Sequence, residues 1–536
     1  SESHKWEQRF ESVLEGFRFL PGGRILAGAG LGKDVTLFNC FVAGQLVDSL
    51  DGILESLKET AITMQHGGGI GLDFSPLRPG GSPAVRTGAT ASGPVSFMHV
   101  WDSMCETLLA TGRRRGAMMA TLRCDHPDVE AFIDAKRDPD ELRNFNLSVL
   151  VTDEFLRAVD EDREWPLVYP PGGNPLVEER IPAGTLWRHI VESAFETAEP
   201  GLLFVDTINR NNNLWYCESI SATNPCGEVP LPAYGACNLG SINLVTVVSS
   251  PFSDEAAIDH ESLQRLSGTA VRFLDNVIEV SRYPLEKQAA QARSTRRIGL
   301  GITGLGDALA MLGLHYDSDA ARNVAADVMR TIRDSAYRTS IELAREKGAF
   351  PVFDARRYCE APFIRRLPAD LRKALATHGI RNSHVLSIAP AGTISMLAGN
   401  VSSGMEPIYA LRGVRSVRDT MQHRREIAVE DFAFRRWRDT CITGAAPPGE
   451  FVTADTLSAD AHLAMQATLQ PCVDNAISKT ITLAPTANSG TVDDVFRSAH
   501  ATGIKGCTVF RPGSMRGQVI RTRDESHCCG VERECD

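Results

Sequence analysis

The sequence predicts an α/β protein built on a mostly parallel sheet or barrel. Short apolar, strand-like runs alternate with long amphipathic stretches along almost the whole chain, and no fixed-period repeat or low-complexity segment breaks the alternation. Size agrees, since 536 residues suit one large barrel with additions as well as several smaller domains.

Residues 2–19 carry Phe10, Val13, Leu14 and Phe17 at helical spacing and stop at the Pro21-Gly22-Gly23 breaker, a short lead-in helix. A strand-like stretch follows at Val35 to Val42. Leu50, Ile53, Leu54, Leu57 and Ala61 then share one face of a helix from about Ser49 to Gln65, which the glycine run after His66 ends. A second helix, from about Pro94 to Thr111, carries Val95, Met98, Trp101, Met104 and Leu108. This pair reads equally as core or as a dimer face. Further strand-like pieces at Asn146 to Val151, Gly201 to Val205, Ser241 to Val248, His384 to Ile388 and Lys505 to Phe510 are separated by helical stretches such as Ala320 to Lys347. From about Arg516 the chain is charged, rich in cysteine and poor in large apolar groups, which predicts a mobile tail.

Charge and composition narrow the function classes. Fifty-six Lys and Arg against 67 Asp and Glu leave a net charge of -11, the wrong sign for a protein that coats nucleic acid. No run of apolar residues reaches membrane-spanning length, and the first eight residues lack a secretory pattern, so a cytoplasmic location is expected. Thirteen cysteines are scattered from Cys40 to Cys535 without the framework of a disulfide scaffold. Four places set cysteine in unusual chemistry: Cys40, Cys226, Cys237, and the group Cys528, Cys529 and Cys535.

Several motifs have ordinary readings. Gly299 to Gly304 matches a dinucleotide fingerprint by letter, but a basic segment precedes it, so close helix packing through glycine explains it better. Cys124-Asp125-His126-Pro127 precedes an amphipathic helix, and capping by Asp125 or His126 explains it without a metal. Ala391, Gly392, Thr393, Ile394 and Ser395 follow a strand-like segment, and their backbone amides suit either an anion or an ordinary turn. Asn224 to Glu228 is the most informative run. In extended backbone Asn224, Cys226 and Glu228 project to one side, presenting an amide, a sulfur and a carboxylate base together, while Pro225 and Gly227 suit a loop tip.

FLPGGRILAGAG at 19–30, LFNCFV at 37–42, GGGIGLDF at 67–74, RRGAMMATL at 114–122, ATNPCGEVPL at 222–231, GACNLGSINL at 235–244, RRIGLGITGLGDAL at 296–309, IAPAGTISMLAGNVSSGMEP at 388–407 and KGCTVFRP at 505–512 occur in one order. Together they resemble the catalytic chain of a ribonucleotide reductase, most of all the adenosylcobalamin-dependent class II branch. The resemblance implies a ten-stranded α/β barrel of two five-stranded parallel halves over residues 31–515, with a central finger loop carrying Cys226. It also implies residues 1–30 as a lead-in without an ATP cone, effector and dimer helices at about 49–111, and a redox tail at 516–536.

By the same resemblance Cys226 becomes the thiyl radical that removes the ribose 3′-hydrogen, Glu228 the general base and Asn224 a hydroxyl ligand, with Cys40 and Cys237 the pair that is oxidised to a disulfide. Residues 391–395 match the substrate-phosphate loop. Asp48 and Arg78 match an effector site at a homodimer interface, and Arg114 and Arg115 the loop that relays effector identity. A deoxynucleotide or ATP would be the effector, and a thioredoxin- or glutaredoxin-type protein would reduce Cys528, Cys529 or Cys535. No protein-bound metal, nucleic-acid partner or membrane is expected.

The radical source follows from residues absent where relatives have them. Oxygen-dependent relatives carry a tyrosine pair near the end of the barrel, whereas Gly506 to Phe510 has none and the last of eight tyrosines is Tyr409. A C-terminal glycyl-radical motif is also missing, which leaves adenosylcobalamin. The alternatives are an oxygen-dependent class I subunit working with a radical-generating partner, and a non-catalytic nucleotide-sensing relative.

Overall fold

The computed structural model describes residues 2–84, 88–109, 117–171, 175–418, 424–440, 447–512, 514 and 520–521. Ten strands form the main sheet: β1 (Phe19–Pro21), β2 (Cys40–Val42), β3 (Gly69–Asp73), β4 (Met118–Arg123), β5 (Phe145–Val151), β6 (Gly201–Phe204), β7 (Ala236–Asn243), β8 (Ile298–Thr303), β9 (Thr480–Thr482) and β10 (Gly506–Phe510). Strands β2 to β6 are neighbours in chain order and all parallel. Helices fill the connections, among them Leu50–Gln65 between β2 and β3 and Gly93–Leu109 between β3 and β4. Parallel strands need such crossovers to bring the chain back to the same end.

A second set begins with β7 parallel to β8. Isolated parallel bridges, Leu300 to Leu386 and Ile388 to Ile477, carry the pairing onward, and the segment after Ile477 leads into β9, which runs parallel to β10. Each half thus has five parallel segments. The halves meet antiparallel in two places, Cys40 opposite Cys237 and Leu202 opposite Cys507. Strand β1 is an addition, antiparallel on β7.

Local signals account for many boundaries. Ser49 caps the first long helix, its Oγ accepting from Gly52 N at 3.1 Å, and Ser318 caps the helix Asp319–Lys347 in the same way for Ala321 N at 3.0 Å. Gly348, at φ +86°, ends that helix. The lead-in helix is shorter than expected, Glu2–Leu14, because the chain turns at Gly16 with φ +66° and enters β1. Strand β7 starts five residues before the expected one and ends at Asn243, after which Leu244–Val247 is a 3₁₀ turn. Only the last three residues of the expected Val35 to Val42 strand pair.

Two further expectations are corrected. Asp125 does not cap the helix Val129–Asp134 but pairs with Arg123, whereas His126 does serve its entry, its Nδ1 accepting from Asp128 N at 3.0 Å while its Nε2 bonds the Leu77 carbonyl at 2.8 Å. Gly299 and Gly301 lie within β8 and serve strand packing rather than helix packing. A Cβ on Gly301 would stand 2.2 Å from the Ser387 carbonyl oxygen. No helix among the described residues is long and apolar enough to cross a membrane.

A loop from Ser221 to Leu231 crosses between the halves. Thr121 Oγ1 on β4 donates to Ser221 O at 2.9 Å, and Asn146 Nδ2 on β5 donates to Pro225 O at 2.9 Å. From the other half, Ser387 Oγ and Ala476 N both donate to Glu228 O at 2.9 Å. The approach to β3 is closest at Gly71, where an added Cβ would lie 1.8 Å from the Thr223 carbonyl oxygen. Backbone on both sides leaves no flexible end to yield. Gly71→Ala is therefore expected to lower unfolding free energy by about 1–3 kcal/mol, the usual cost of overpacking; urea titration measures it, and an unchanged midpoint would show that the loop moves aside freely.

Candidate active site

The loop is a small hairpin, Ala222–Thr223 pairing antiparallel with Pro230–Leu231. Its tip is shaped by Asn224, whose Oδ1 accepts from Val229 N at 2.9 Å and whose backbone oxygen accepts from Gly227 N at 3.1 Å. Gly227 sits at φ +83°, where a side chain would be strained. The expected alternation thus gives way to a turn, yet the same residues are gathered.

Cys40 is the meeting point. Asn224 Nδ2 donates to its Sγ at 3.1 Å, and its thiol approaches Glu228 Oε1 at 3.8 Å. Cys237 is its register partner across the antiparallel joint. Opposed residues in such a pair have Cα atoms about 4.5–5.5 Å apart, which is disulfide distance. Both cysteines are thiols in this structure. Residues 197 apart in the chain are brought together only by the joining of the two halves.

Burial disfavours charge throughout this centre. Burial first, then the neighbouring Glu228, Cys237 and Cys226, push the Cys40 thiol well above its ordinary value. Burial likewise raises Cys237, opposed by the charge of Arg297. The Glu228 carboxyl is pushed up to about 7 by burial, with hydrogen bonds from Asn224 and Cys40 pulling the other way. Its Oε2 is buried and has no hydrogen-bond partner among the described residues. Cys226 is only half-buried, which makes it the most accessible sulfur of the cluster. At Gly227 no described atom beyond its chain neighbours lies within 4 Å of where a Cβ would stand.

The other expected residues form separate places. Ala391, at φ +57°, turns the chain into the short helix Gly392–Leu397; Thr393 is exposed, Ile394 and Ser395 are buried, and Ser395 Oγ contacts Ser403 Oγ at 3.1 Å. Arg78 Nε donates to Asp48 Oδ2 at 2.8 Å, and Tyr169 OH donates to the same oxygen at 2.9 Å. Arg114, Arg115, Cys528, Cys529 and Cys535 lie outside the described residues.

Comparison with known proteins supplies the frame for this geometry. Residues 38–510 match the model of the ribonucleotide reductase barrel domain. The chain belongs to the ribonucleotide reductase family. It is 41% identical, over 97% of its length and 74% of the relative's, to the vitamin B12-dependent ribonucleoside-diphosphate reductase of Mycobacterium tuberculosis strain CDC 1551. Identity to the protein of that name in Thermoplasma acidophilum is 38% over 96% of this chain and 66% of the relative. The ribonucleoside-diphosphate reductase large subunit of variola virus is more distant, at 26% over 75% of this chain and 57% of its own. Within the reductase barrel, sequence reasoning missed the neighbours that hold the finger loop: Thr121, Asn146, Arg297 and Ser387. For Thr121, Asn146 and Ser387 the available signal was polar character inside apolar or strand-like runs; Arg297, in a basic segment, gave none.

The raised Glu228 carboxyl gives a pH signature. Folded, it holds its proton up to about 7, whereas an unfolded glutamate loses it near ~4.3. Between these values the folded state binds more protons, so its contribution to stability is full at low pH and falls as pH rises. Relative to Glu228→Gln, the wild-type unfolding free energy should drop by about 3 kcal/mol from pH ~4.3 to above ~7, at ~1.4 kcal/mol per pH unit. Denaturant titration of both proteins measures this, and parallel pH curves would show an unraised carboxyl.

Proposed function

We propose that this chain is an adenosylcobalamin-dependent reductase of ribonucleotides to 2′-deoxyribonucleotides, supplying DNA synthesis and repair by thiyl-radical chemistry. The observation that carries the reading is the convergence of Cys40, Cys237, Asn224 and Glu228 beneath a half-buried Cys226. The names of the relatives at 38–41% identity support cobalamin as the cofactor. When bound, adenosylcobalamin supplies a radical by homolysis of its cobalt–carbon bond. The room around Gly227 at the loop tip fits a large group on that side.

The protein's own groups divide the remaining work. Cys226, once a thiyl radical, takes the 3′-hydrogen of the ribose. Glu228 accepts the 3′-hydroxyl proton, and a carboxyl near 7 is matched to that task. Asn224 orients the ribose hydroxyls. Cys40 and Cys237 supply two electrons and two protons, the 2′-hydroxyl leaves as water, and the two sulfurs join as a disulfide. Cys226 returns the hydrogen to C3′. Residues 391–395 hold the substrate phosphates.

Specificity control belongs to a different face. Asp48 and Arg78, already paired, form part of the effector site, and Arg114 and Arg115 relay its occupancy to the substrate base. Leu50 and Leu54 on one helix and Val100 on its neighbour stay exposed, which supports these helices as the homodimer face. Cys528, Cys529 and Cys535 pass electrons from a thioredoxin- or glutaredoxin-type protein to the Cys40–Cys237 pair.

Purified chain with adenosylcobalamin, a ribonucleotide and dithiothreitol, and no second subunit, is expected to form deoxynucleotide; none at all would overturn the reading. Cys226→Ser should abolish product, because an O–H bond is too strong for the radical transfer, while effector binding persists. Cys40→Ser and Cys237→Ser should still begin radical chemistry but release free base in place of deoxynucleotide. Multiple wild-type turnovers in either variant would show that the pair is misassigned.

A further inference from the structure

Arg297 is among the largest fully buried side chains of the described residues, although it carries a charge that burial penalises. It stands one residue before β8, and Gly299 in that strand lies beside Cys237, whose Sγ would be 3.5 Å from an added Cβ. The two ends of its guanidinium fork go to different places. Nη1 donates to Pro230 O at 2.9 Å, on the return arm of the finger loop. Nη2 pairs with the buried carboxylate of Glu218, three residues before the finger loop begins at Ser221. Glu218 lies eight residues before Cys226 and Pro230 four after it.

The geometry points to Arg297 as a positioning residue that ties the return arm of the finger loop to the segment leading into the loop and sets the height of Cys226 and Glu228 in the barrel. The other anchors of the loop are neutral hydrogen bonds from Thr121, Asn146, Ser387 and Ala476, each made to a single carbonyl. Arg297 alone among these holds both the return arm and the entering segment. A planar fork can hold two acceptors in fixed directions, and a lysine ammonium on a flexible stem cannot reproduce that. The charged pair also resists loosening, since separating it would leave two charges buried without partners. Its catalytic importance rests on the reading of Cys226 and Glu228 above; the tie itself does not.

The test uses Arg297→Lys and Glu218→Gln in the full chain, with hydrogen exchange read by mass spectrometry on the peptide covering 221–231 and on peptides of β7 and β8. Without nucleotide or cofactor, the loop amides should exchange about tenfold faster in both variants while the β7 and β8 peptides stay unchanged. With nucleotide and adenosylcobalamin, kcat should fall about 100-fold in Arg297→Lys and about tenfold in Glu218→Gln, with KM within about threefold, as expected when reacting groups shift by around an ångström. Unchanged loop exchange overturns the proposal, as does faster exchange shared equally by β7 and β8, which marks general structural support. Should Arg297→Lys fail to fold, Glu218→Gln decides by the same readings. A wild-type chain that reduces no nucleotide overturns the catalytic reading, whereas the exchange result still decides whether the tie exists.

Discussion

Everything in the candidate site depends on the antiparallel joint between β2 and β7. Within either half the strands are parallel, and residues on neighbouring parallel strands are separated by whole crossovers. At the joint, the two halves run head to tail and Cys40 comes to face Cys237. No local turn could do this for residues so far apart in sequence. The second joint, between β6 and β10, repeats the arrangement on the far side. The finger loop then needs only to cross from one half to the other, and its anchors come from both: β4 and β5 on one side, and Arg297, Ser387 and Ala476 on the other.

The buried polar groups follow from that crossing. A loop inside a barrel carries backbone carbonyls into a place without bulk water, and each must find a donor. Ser221, Pro225, Glu228 and Pro230 all do. The same dryness raises the thiols of Cys40 and Cys237 and the carboxyl of Glu228, so charge is disfavoured throughout the centre. Neutral thiols are poor nucleophiles and poor metal ligands. They can still give up hydrogen atoms, which is the chemistry that the proposed radical reduction asks of them. Solvation by the fold therefore selects one cysteine reactivity from several.

Much of this was legible in the sequence, and the exceptions share one cause. The helix Asp319–Lys347 was expected almost to the residue because its cap and periodicity are local. The run Asn224 to Glu228 stood out because three chemistries fall within five residues. Strand β7 was misplaced because Asn238 and Gly240 read as polar or flexible, yet both are buried in it. Gly299 and Gly301 read as helix-packing glycines, whereas Gly301 makes room for backbone that arrives some ninety residues later. Asp125 read as a cap but pairs with Arg123. Arg297 read as part of a basic segment, and no local pattern indicates that a distant loop and the segment entering it will close on it. Local propensity is written locally; the fate of a polar residue in a core is decided by segments it has not yet met.

That dependence bears on how the protein is made. By the time a ribosome has added Cys237, all five residues of the proposed centre have been synthesised. The centre itself does not yet exist, because Arg297, Ser387 and Ala476 are still to come and the Glu228 and Pro230 carbonyls of the finger loop wait on them. During synthesis the first five parallel strands can pair as they emerge, while the reactive sulfurs stay outside any dry cavity. Assembly from the amino end thus leaves the proposed site until last, and a prematurely released chain would hold the cysteines without their enclosure.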